Sequence, residues 1–387
     1  MNQDKYIFSQ LIDFLPYENF KYIVKKHKGN KGIRDFSCWN QLLMMLFGQL
    51  SNCESMRDLC ILTDAHSQKS YRLGFGKSIA LSTLSRANAN RDYRIFEEFA
   101  SLMIAKAQKC RADIDLNVNV SGNVYAFDSS TISLCLNVFW WAAYKRQKGG
   151  IKLHTLYDVR TQIPDFIVVT PASTNDVNGM DYIDYQNGSY YIFDRGYNDF
   201  ARLYHIHKQK AFFVFRAREK VKFKRMYSFK KEPNTGIKSD HIGVFTTGNS
   251  PKRYPEKIRK IRYYDIEQDR EFIFLTNDFT SDAKTITELY RKRWSIELFF
   301  KWIKQHLKVK QFWGTTENAV KIQVNCAIIA YCLVAIVAKM LKTERTIYEI
   351  LQILGKSLLD KTPVNKLINK SDYKNLKGNY CKLLLFN

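Results

Sequence analysis

The chain reads as an α/β protein, a mixed sheet preceded by a helical N-terminal domain. Apolar residues recur at helical spacing through roughly the first 115 positions. From about residue 120 the pattern changes to short apolar runs of strand length, with helix-length segments between them. Charge bears on the partner: 61 Lys and Arg stand against 37 Asp and Glu, a net +24. Such a surplus costs self-repulsion, and a polyanion is the usual reason to carry it. Nucleic acid leads as that partner, and an anionic membrane surface follows. Hydrophobic residues at 45% and charged residues at 25% exclude a disordered chain, and 7 prolines with 17 glycines exclude a collagen-like one.

In the N-terminal part, WNQLLMMLFGQL puts Leu42, Leu46, Phe47 and Leu50 on one helical face, with Ser37 placed to cap it. Further on, ALSTLSRANANRDY predicts a short polar helix capped by Ser82, with Arg86, Asn88 and Arg91 facing outward. A helix, a Gly74-Phe75-Gly76 turn and this polar helix suggest a helix-turn-helix whose second helix enters a DNA groove, with Arg86 and Arg91 as contacts. A polar helix that simply faces solvent is the alternative.

The predicted strands are NVYAF before Asp128, IKLHTLYD over 151–158, DFIVVT over 165–170, YYIF before Asp194 and AFFVFRA over 211–217. A helix is expected between Val177 and Tyr185, and another, capped by Asn198, up to about Lys208. Residues 210–262 hold 16 Lys and Arg against 4 Asp and Glu, half of the chain's excess charge. Phe223, Tyr227, Phe229, Phe245 and Tyr254 are interleaved with those charges, and KVKFKR suggests a strand with one basic face. Phosphate neutralisation and ring stacking make this composition suit nucleic acid. A solvated edge hairpin, lysine-rich against aggregation, also fits.

Eight cysteines (Cys38, Cys53, Cys60, Cys110, Cys135, Cys326, Cys332 and Cys381) show no C-x-x-C spacing, so neither a zinc site nor a disulfide framework is expected. The N-terminus MNQDKYIFSQ lacks a signal-peptide layout. Residues 322–338 carry no charge, but Gln323, Asn325 and the short length favour a buried core helix over a membrane span.

Asp128 and Asp194 each follow a buried-type strand run directly. Acidic side chains at strand ends are held rigidly at a sheet's rim, where α/β proteins bind ligands. If the strands are neighbours, the two carboxylates converge and a divalent cation relieves their repulsion. Taken alone, either Asp also suits a turn or a cap. In TELYRKRWSIELFFKWIKQHLK, read as one helix at about 100° per residue, Tyr290, Arg293, Glu297 and Lys304 fall within a ~60° stripe. Leu289, Ile296, Phe299 and Ile303 form the adjacent apolar stripe. A solvated helix with i,i+4 ion pairs is the plain alternative.

Tyr290, Arg293, Glu297 and Lys304 match without a gap the Tyr-(2)-Arg-(3)-Glu-(6)-Lys signature of the DDE transposases of the insertion sequence 4 group, which the chain therefore resembles. Asp128-Ser129-Ser130-Thr131 resembles that family's first catalytic block, the stretch from Lys148 to His154 the segment after it, and Asp194-Arg195-Gly196-Tyr197 the second block. The resemblance implies a ribonuclease-H-like catalytic core over 120–340 with a β-rich basic insertion at about 218–280. Glu297 follows Asp194 by 103 positions, which leaves room for it. A helical DNA-binding domain over 1–115 and a C-terminal helical tail over 341–387 complete the expected layout.

By the same resemblance, Asp128, Asp194 and Glu297 are the catalytic residues and hold two Mg²⁺ (or Mn²⁺) ions. Tyr290, Arg293 and Lys304 contact DNA, as do Arg195, Lys152 and His154 more peripherally, with a structural place in its strand the equal alternative for His154. The implied reaction is cleavage at the ends of an insertion sequence and transfer of the 3′-hydroxyls into target DNA. The partners are double-stranded DNA, both terminal repeats and target, and a second copy in a homodimer; no membrane is involved. The location is bacterial cytoplasm, at the nucleoid. Relatives stack a flipped base on a tryptophan of the insertion; none lies between 195 and 290 here, so that role passes to Tyr, Phe or Trp294. A catalytically inactive DNA-binding relative and a metal-dependent nuclease without strand transfer are the alternatives. A peripheral membrane protein lacks the juxtamembrane basic cluster it would need.

Overall fold

A computed structural model of the chain describes residues 4–51, 53–134, 139–145, 148–217, 221–230, 235–246, 248–306 and 312–369. Cys135, Cys381, the tail beyond 369 and parts of the basic block (218–220, 231–234 and 247) lie outside the described residues. The chain divides into two compact units, Ala112–Lys301 and a helical one made of Met1–Arg111 with Trp302–Asn387.

The first unit is built on one ten-stranded sheet. Its strands are β1 (Val124–Leu134), β2 (Ala143–Lys145), β3 (Lys148–Asp158), β4 (Ile163–Pro171), β5 (Tyr190–Phe193), β6 (Phe212–Arg216), β7 (Phe223–Ser228), β8 (Ile237–Phe245), β9 (Ile258–Asp265) and β10 (Arg270–Thr276). β4, β3 and β1 pair antiparallel, and β5 and β6 continue the sheet parallel to β1. That order, three antiparallel strands followed by two parallel ones, is the ribonuclease-H-like arrangement. The β5-to-β6 crossover is the helix Phe200–Lys208, capped by Asp199 rather than the expected Asn198. Between β4 and β5 stands a 3₁₀ helix, Asp176–Tyr182, in place of an α-helix.

All four residues of β5 are buried, because β5 has neighbours on both edges and cover on both faces. Phe127, Tyr191, Phe193, Phe213, Phe215, Leu203 and Ile206 form the core beneath, each large side chain worth about 1.5–3 kcal/mol on burial.

The insertion does not form a separate domain. β10 pairs with β6 and carries the sheet on through β9, β8 and β7. β7 is the last strand; around its start Lys222 and Lys224 are exposed while Val221 and Phe223 pack half-buried against the core, the alternation expected there, and from Lys224 to Ser228 the strand is exposed on both faces. Phe245 and Tyr254 belong to the core and cannot stack on a base. Arg259, buried, forks onto Asp240 at 2.7 and 2.9 Å and also donates to two carbonyls. Part of the block's charge is thus structural.

The segment carrying Glu297 is two helices, Ala283–Lys292 and Trp294–His306. Bonds from Arg293 N to Tyr290 O and from Ile296 N to Arg293 O tighten the chain at the junction. The apolar stripe of Leu289, Ile296, Phe299 and Ile303 is buried.

In the helical unit, Ser37 caps Cys38–Leu50 in a capping box with Asn40. The polar helix runs Leu81–Asn90; its N-cap is Ala80, without a side-chain bond, and Ser82 lies inside it. Glu317–Met340 is the one described helix long and apolar enough to cross a membrane, and 89% of its apolar window is buried. It packs on Arg94–Arg111 and Cys38–Leu50. The division at Trp302 therefore differs from the expected boundary at 340: a helix apolar on all sides needs helices around it, and the N-terminal ones surround it. Val364–Ile368 and the preceding turn return to Ile7–Ile12, with Ile7 N donating to Asp360 O.

Candidate active site

Parallel register between β1 and β5 sets Phe127 beside Phe193. The next residue on each strand is Asp128 and Asp194, so the two acidic side chains leave the sheet at one rim. The strands then diverge. β1 continues to Leu134, held by β3 alone on that edge, so Asp128 stands within a strand rather than at its end as expected. Asp194 ends β5 and opens the 3₁₀ turn Arg195–Tyr197.

That turn folds Tyr197 back over the rim. Its ring packs on Phe127 at 5.4 Å, and its hydroxyl lies 3.3 Å from Asp128 Oδ1 and 3.0 Å from Ser129 Oγ. Ser129 N donates to Asp128 Oδ1 at 2.8 Å. Ser129 also meets its cross-strand partner His154 at 2.8 Å from Nδ1, and His154 Nε2 lies 2.9 Å from Thr170 Oγ1. Ser129 and Tyr197 lie inside the motif blocks, where the sequence alone marks no role for them. Their signal was position, since each stands one or three residues after a rim aspartate; Thr170 carried none.

The helices bring the third carboxylate. Arg293, at the junction between them, places Nη1 3.5 Å from Asp128 Oδ2 and bonds Glu297 Oε1 through Nη2. Tyr290 donates to Asp194 Oδ1 at 3.2 Å. All four groups are partly or well buried. Burial pushes the Asp128 carboxyl up to about 6, the charge of Asp194 adds to this, and the Ser129 N–H, Arg293 and Tyr197 oppose it. Burial works against the Arg293 cation, but Tyr290, Glu297, Asp128 and Asp194 outweigh it, so its pKa is raised. Tyr290 is pushed up to about 12, mainly by burial, and stays a donor.

Three carboxylates without a histidine or cysteine are hard oxygen donors of the kind Mg²⁺ and Mn²⁺ take. As the side chains stand, no three His, Cys, Asp or Glu among the described residues form a ready metal nest. Arg293 supplies the countercharge instead. The donor chemistry fits a divalent cation, and admitting one requires the guanidinium to give way.

The remaining expected contacts divide. Arg195 is exposed beside Asp194, and Lys304 is exposed two turns beyond Glu297 on its helix. Lys152 and His154, expected at DNA, are buried. The Lys152 ammonium is taken by Asp176 at 2.7 Å and Thr174 O at 2.6 Å. His154 is fully enclosed, and burial with the Lys152 charge lowers it to about 4, which keeps it neutral. Arg91 is likewise committed, donating to Ser37 O and Gln41 Oε1 at 2.9 Å and to Phe36 O. Asn88, expected to face outward, is buried against Gln41. Arg86 is exposed. A cavity of about 270 Å³ adjoins the site on the insertion side, lined by Tyr263, Phe272, Tyr290 and Arg293 among others, with Trp294 60% exposed at it.

A family model for the transposase DDE domain matches residues 121–333, and a model for a domain of unknown function, DUF4372, matches 3–76. The putative transposase y4zB of Sinorhizobium fredii is 30% identical over 286 residues, which cover 73% of this chain and 78% of that one. The probable transposase for insertion sequence element IS5377 of Geobacillus stearothermophilus is 29% identical, covering 70% and 73%. The putative transposase for insertion sequence element IS4SA of Synechocystis sp. is 26% identical, covering 74% and 80%.

Proposed function

This chain belongs to the DDE transposase family, and from that premise we propose that Asp128, Asp194 and Glu297 are the carboxylates with which it cuts and joins DNA. As a transposase it is a DNA-cutting, strand-transferring and divalent-metal-dependent enzyme. The carrying observation is the convergence of three residues far apart in sequence, through the Phe127–Phe193 register and the Arg293 and Tyr290 bonds.

In this reading the three carboxylates hold two Mg²⁺ ions. When bound, the ions supply Lewis-acid chemistry, making a hydroxyl nucleophilic at neutral pH and neutralising the oxygen that leaves. Water opens the phosphodiester at each element end and leaves a 3′-hydroxyl. That hydroxyl then displaces a target-strand 3′ oxygen in line, with one phosphodiester broken for each one made.

The chain's own groups do the rest. The sheet fixes Asp128 and Asp194, and Tyr197 with Ser129 orients the Asp128 carboxylate. Once released from the carboxylates, Arg293 forks onto a phosphate. Tyr290 donates from its hydroxyl, and Arg195 and Lys304 add point contacts along the strand. Trp294 and Tyr263 offer ring faces to an unstacked base. Two element ends must be cut together, which calls for a homodimer on DNA at the bacterial nucleoid.

The test is incubation with the DNA that flanks its own coding region, plus a target plasmid and Mg²⁺. End cleavage with joined products supports the reading. Cleavage without joining indicates a nuclease, and binding alone an inactive relative.

A further inference from the structure

His154 is fully enclosed, uncharged at neutral pH and too deep in the sheet to touch a bound strand. An imidazole in that place costs desolvation that an apolar side chain of similar size does not. Its bonds show what it supplies in return.

The sheet sets three polar side chains in a row on one face. Ser129 on β1 stands opposite His154 on β3, and His154 stands opposite Val168 on β4, two residues before Thr170. Direct and diagonal cross-strand neighbours lie within side-chain reach. The row is bonded throughout, with Ser129 Oγ 2.8 Å from His154 Nδ1 and Thr170 Oγ1 2.9 Å from His154 Nε2. At its other end Tyr197 lies 3.0 Å from Ser129 Oγ and 3.3 Å from Asp128 Oδ1. An unbroken chain of hydrogen bonds therefore runs from Thr170 to the Asp128 carboxylate.

Thr170 sets the direction of those bonds. Its hydroxyl donates to Pro171 O at 3.3 Å, so its oxygen is left to accept, and the single proton of the neutral ring sits on Nε2. Nδ1 is then an acceptor and takes the Ser129 hydroxyl proton. Having donated there, Ser129 offers Tyr197 a lone pair, and the phenol proton is held between Ser129 and Asp128. The opposite tautomer would point the Ser129 proton at Tyr197 instead. Gly179 packs so close that a Cβ on it would stand 2.5 Å from Nδ1, which leaves the ring no room to turn on that side.

The two oxygens of Asp128 are thereby given different surroundings. Oδ1 accepts the Ser129 N–H at 2.8 Å and faces the Tyr197 hydroxyl, while Oδ2 faces Arg293 Nη1 at 3.5 Å. Rotation about the last bond of an aspartate is soft, so an anchor on one oxygen decides where the other points.

We propose that His154 is a positioning residue for Asp128, acting through Ser129 and Tyr197 to hold Oδ1 and present Oδ2 to a divalent cation, which rests on the reading of Asp128 as a metal ligand. His154 itself touches neither cation nor DNA.

The experiment follows the melting temperature of the full chain across a Mn²⁺ series without DNA, so cleavage does not enter. His154→Gln reaches Thr170 but leaves Ser129 without its acceptor; the shorter amide of His154→Asn puts an oxygen where Nδ1 stands. Loss of hydrogen-bond support for a metal ligand costs about tenfold or more in metal affinity. His154→Gln and Ser129→Ala should each raise the Mn²⁺ concentration for half of the melting shift by about that factor, and His154→Asn should recover most of it. The double variant, Ser129→Ala with His154→Gln, should lose no more than the worse single one, since both break one chain.

Losses that multiply in the double variant mean that the two residues act separately, and overturn the relay. So does a His154→Gln protein that melts lower yet takes Mn²⁺ as the wild type does, because that histidine only packs. If His154→Gln does not fold, a wild-type Mn²⁺ response in Ser129→Ala overturns the relay by itself. A wild type that Mn²⁺ does not stabilise, or an Asp128→Ala that responds equally, strikes the metal-ligand reading beneath it.

Discussion

Nη1 of Arg293 lies 3.5 Å from Oδ2 of Asp128, 165 residues earlier in the chain, while Nη2 of the same guanidinium bonds Glu297. One fixed cation therefore joins the sheet's rim to the helix that carries the third carboxylate. In a metal-dependent enzyme this is the geometry of a placeholder. On the proposed reading the guanidinium balances charges that would otherwise repel, and is released toward phosphate when a divalent cation binds.

Replacing Arg293 by Gln should leave Asp128 and Glu297 uncompensated and cost about 1–3 kcal/mol of stability without divalent metal. Mg²⁺ or Mn²⁺ should then raise the melting temperature of Arg293→Gln more than that of the wild type. Thermal unfolding with and without metal measures both, and equal metal shifts in the two proteins would contradict the placeholder role.

Two buried groups pull the acid stability in opposite directions. Asp128, raised from 3.8 to about 6, takes up a proton more readily in the folded state, so its contribution is full below pH 4 and is lost as pH rises through 6. His154, lowered from 6.5 to about 4, is protonated first in the unfolded state, so its contribution is full above pH 6.5 and is lost as pH falls toward 4. The two nearly offset each other in the metal-free wild type. Asp128→Asn should expose the loss on acidification and His154→Gln the gain, each about 2–3 kcal/mol across pH 4–6.5. Urea unfolding over that range reads both slopes; identical profiles for the two variants would refute the assignment.

Tyr197→Phe keeps the ring on Phe127 and removes the hydroxyl shared by Asp128 and Ser129. The expected cost is about 1 kcal/mol of stability, with a fall in cleavage of about tenfold that higher Mg²⁺ partly restores. Unaltered cleavage and metal response would show that the carboxylate needs no such support.

Gly179 faces the same layer, where an added Cβ would sit 2.5 Å from His154 Nδ1 and 2.8 Å from the Phe127 ring. Gly179→Ala should destabilise by about 1–3 kcal/mol through overpacking, measured by thermal unfolding. A neutral substitution would mean that His154 has room to move.

What could be read in advance follows from how each residue is used. β5 and the core of β6 are runs of large apolar residues because both faces are covered, so YYIF and FFVF announce themselves. The far half of β1 is polar, DSSTIS, and is a strand only because β3 pairs with it, a long-range fact that local pattern does not carry. The break at Arg293 is a single tightened turn inside an otherwise helical pattern and leaves no mark in periodicity. Lys152, His154 and Arg91 look like surface cations in one dimension. Their partners Asp176, Thr170 and the Phe36 carbonyl lie 24, 16 and 55 residues away. The meeting of Asp128 and Asp194 at one rim was legible because each directly follows a buried apolar run, although Asp128 stands within β1, and Glu317–Met340 was legible because composition alone marks a buried helix, though not which helices bury it.

The most direct measurement is end cleavage of the element's own flanking DNA in Mg²⁺ by Asp128→Ala, Asp194→Ala and Glu297→Ala, with DNA binding followed in parallel. Each single variant should lose detectable cleavage and bind DNA as the wild type does. Wild-type cleavage by any one of the three would show that these carboxylates do not act together as the active site.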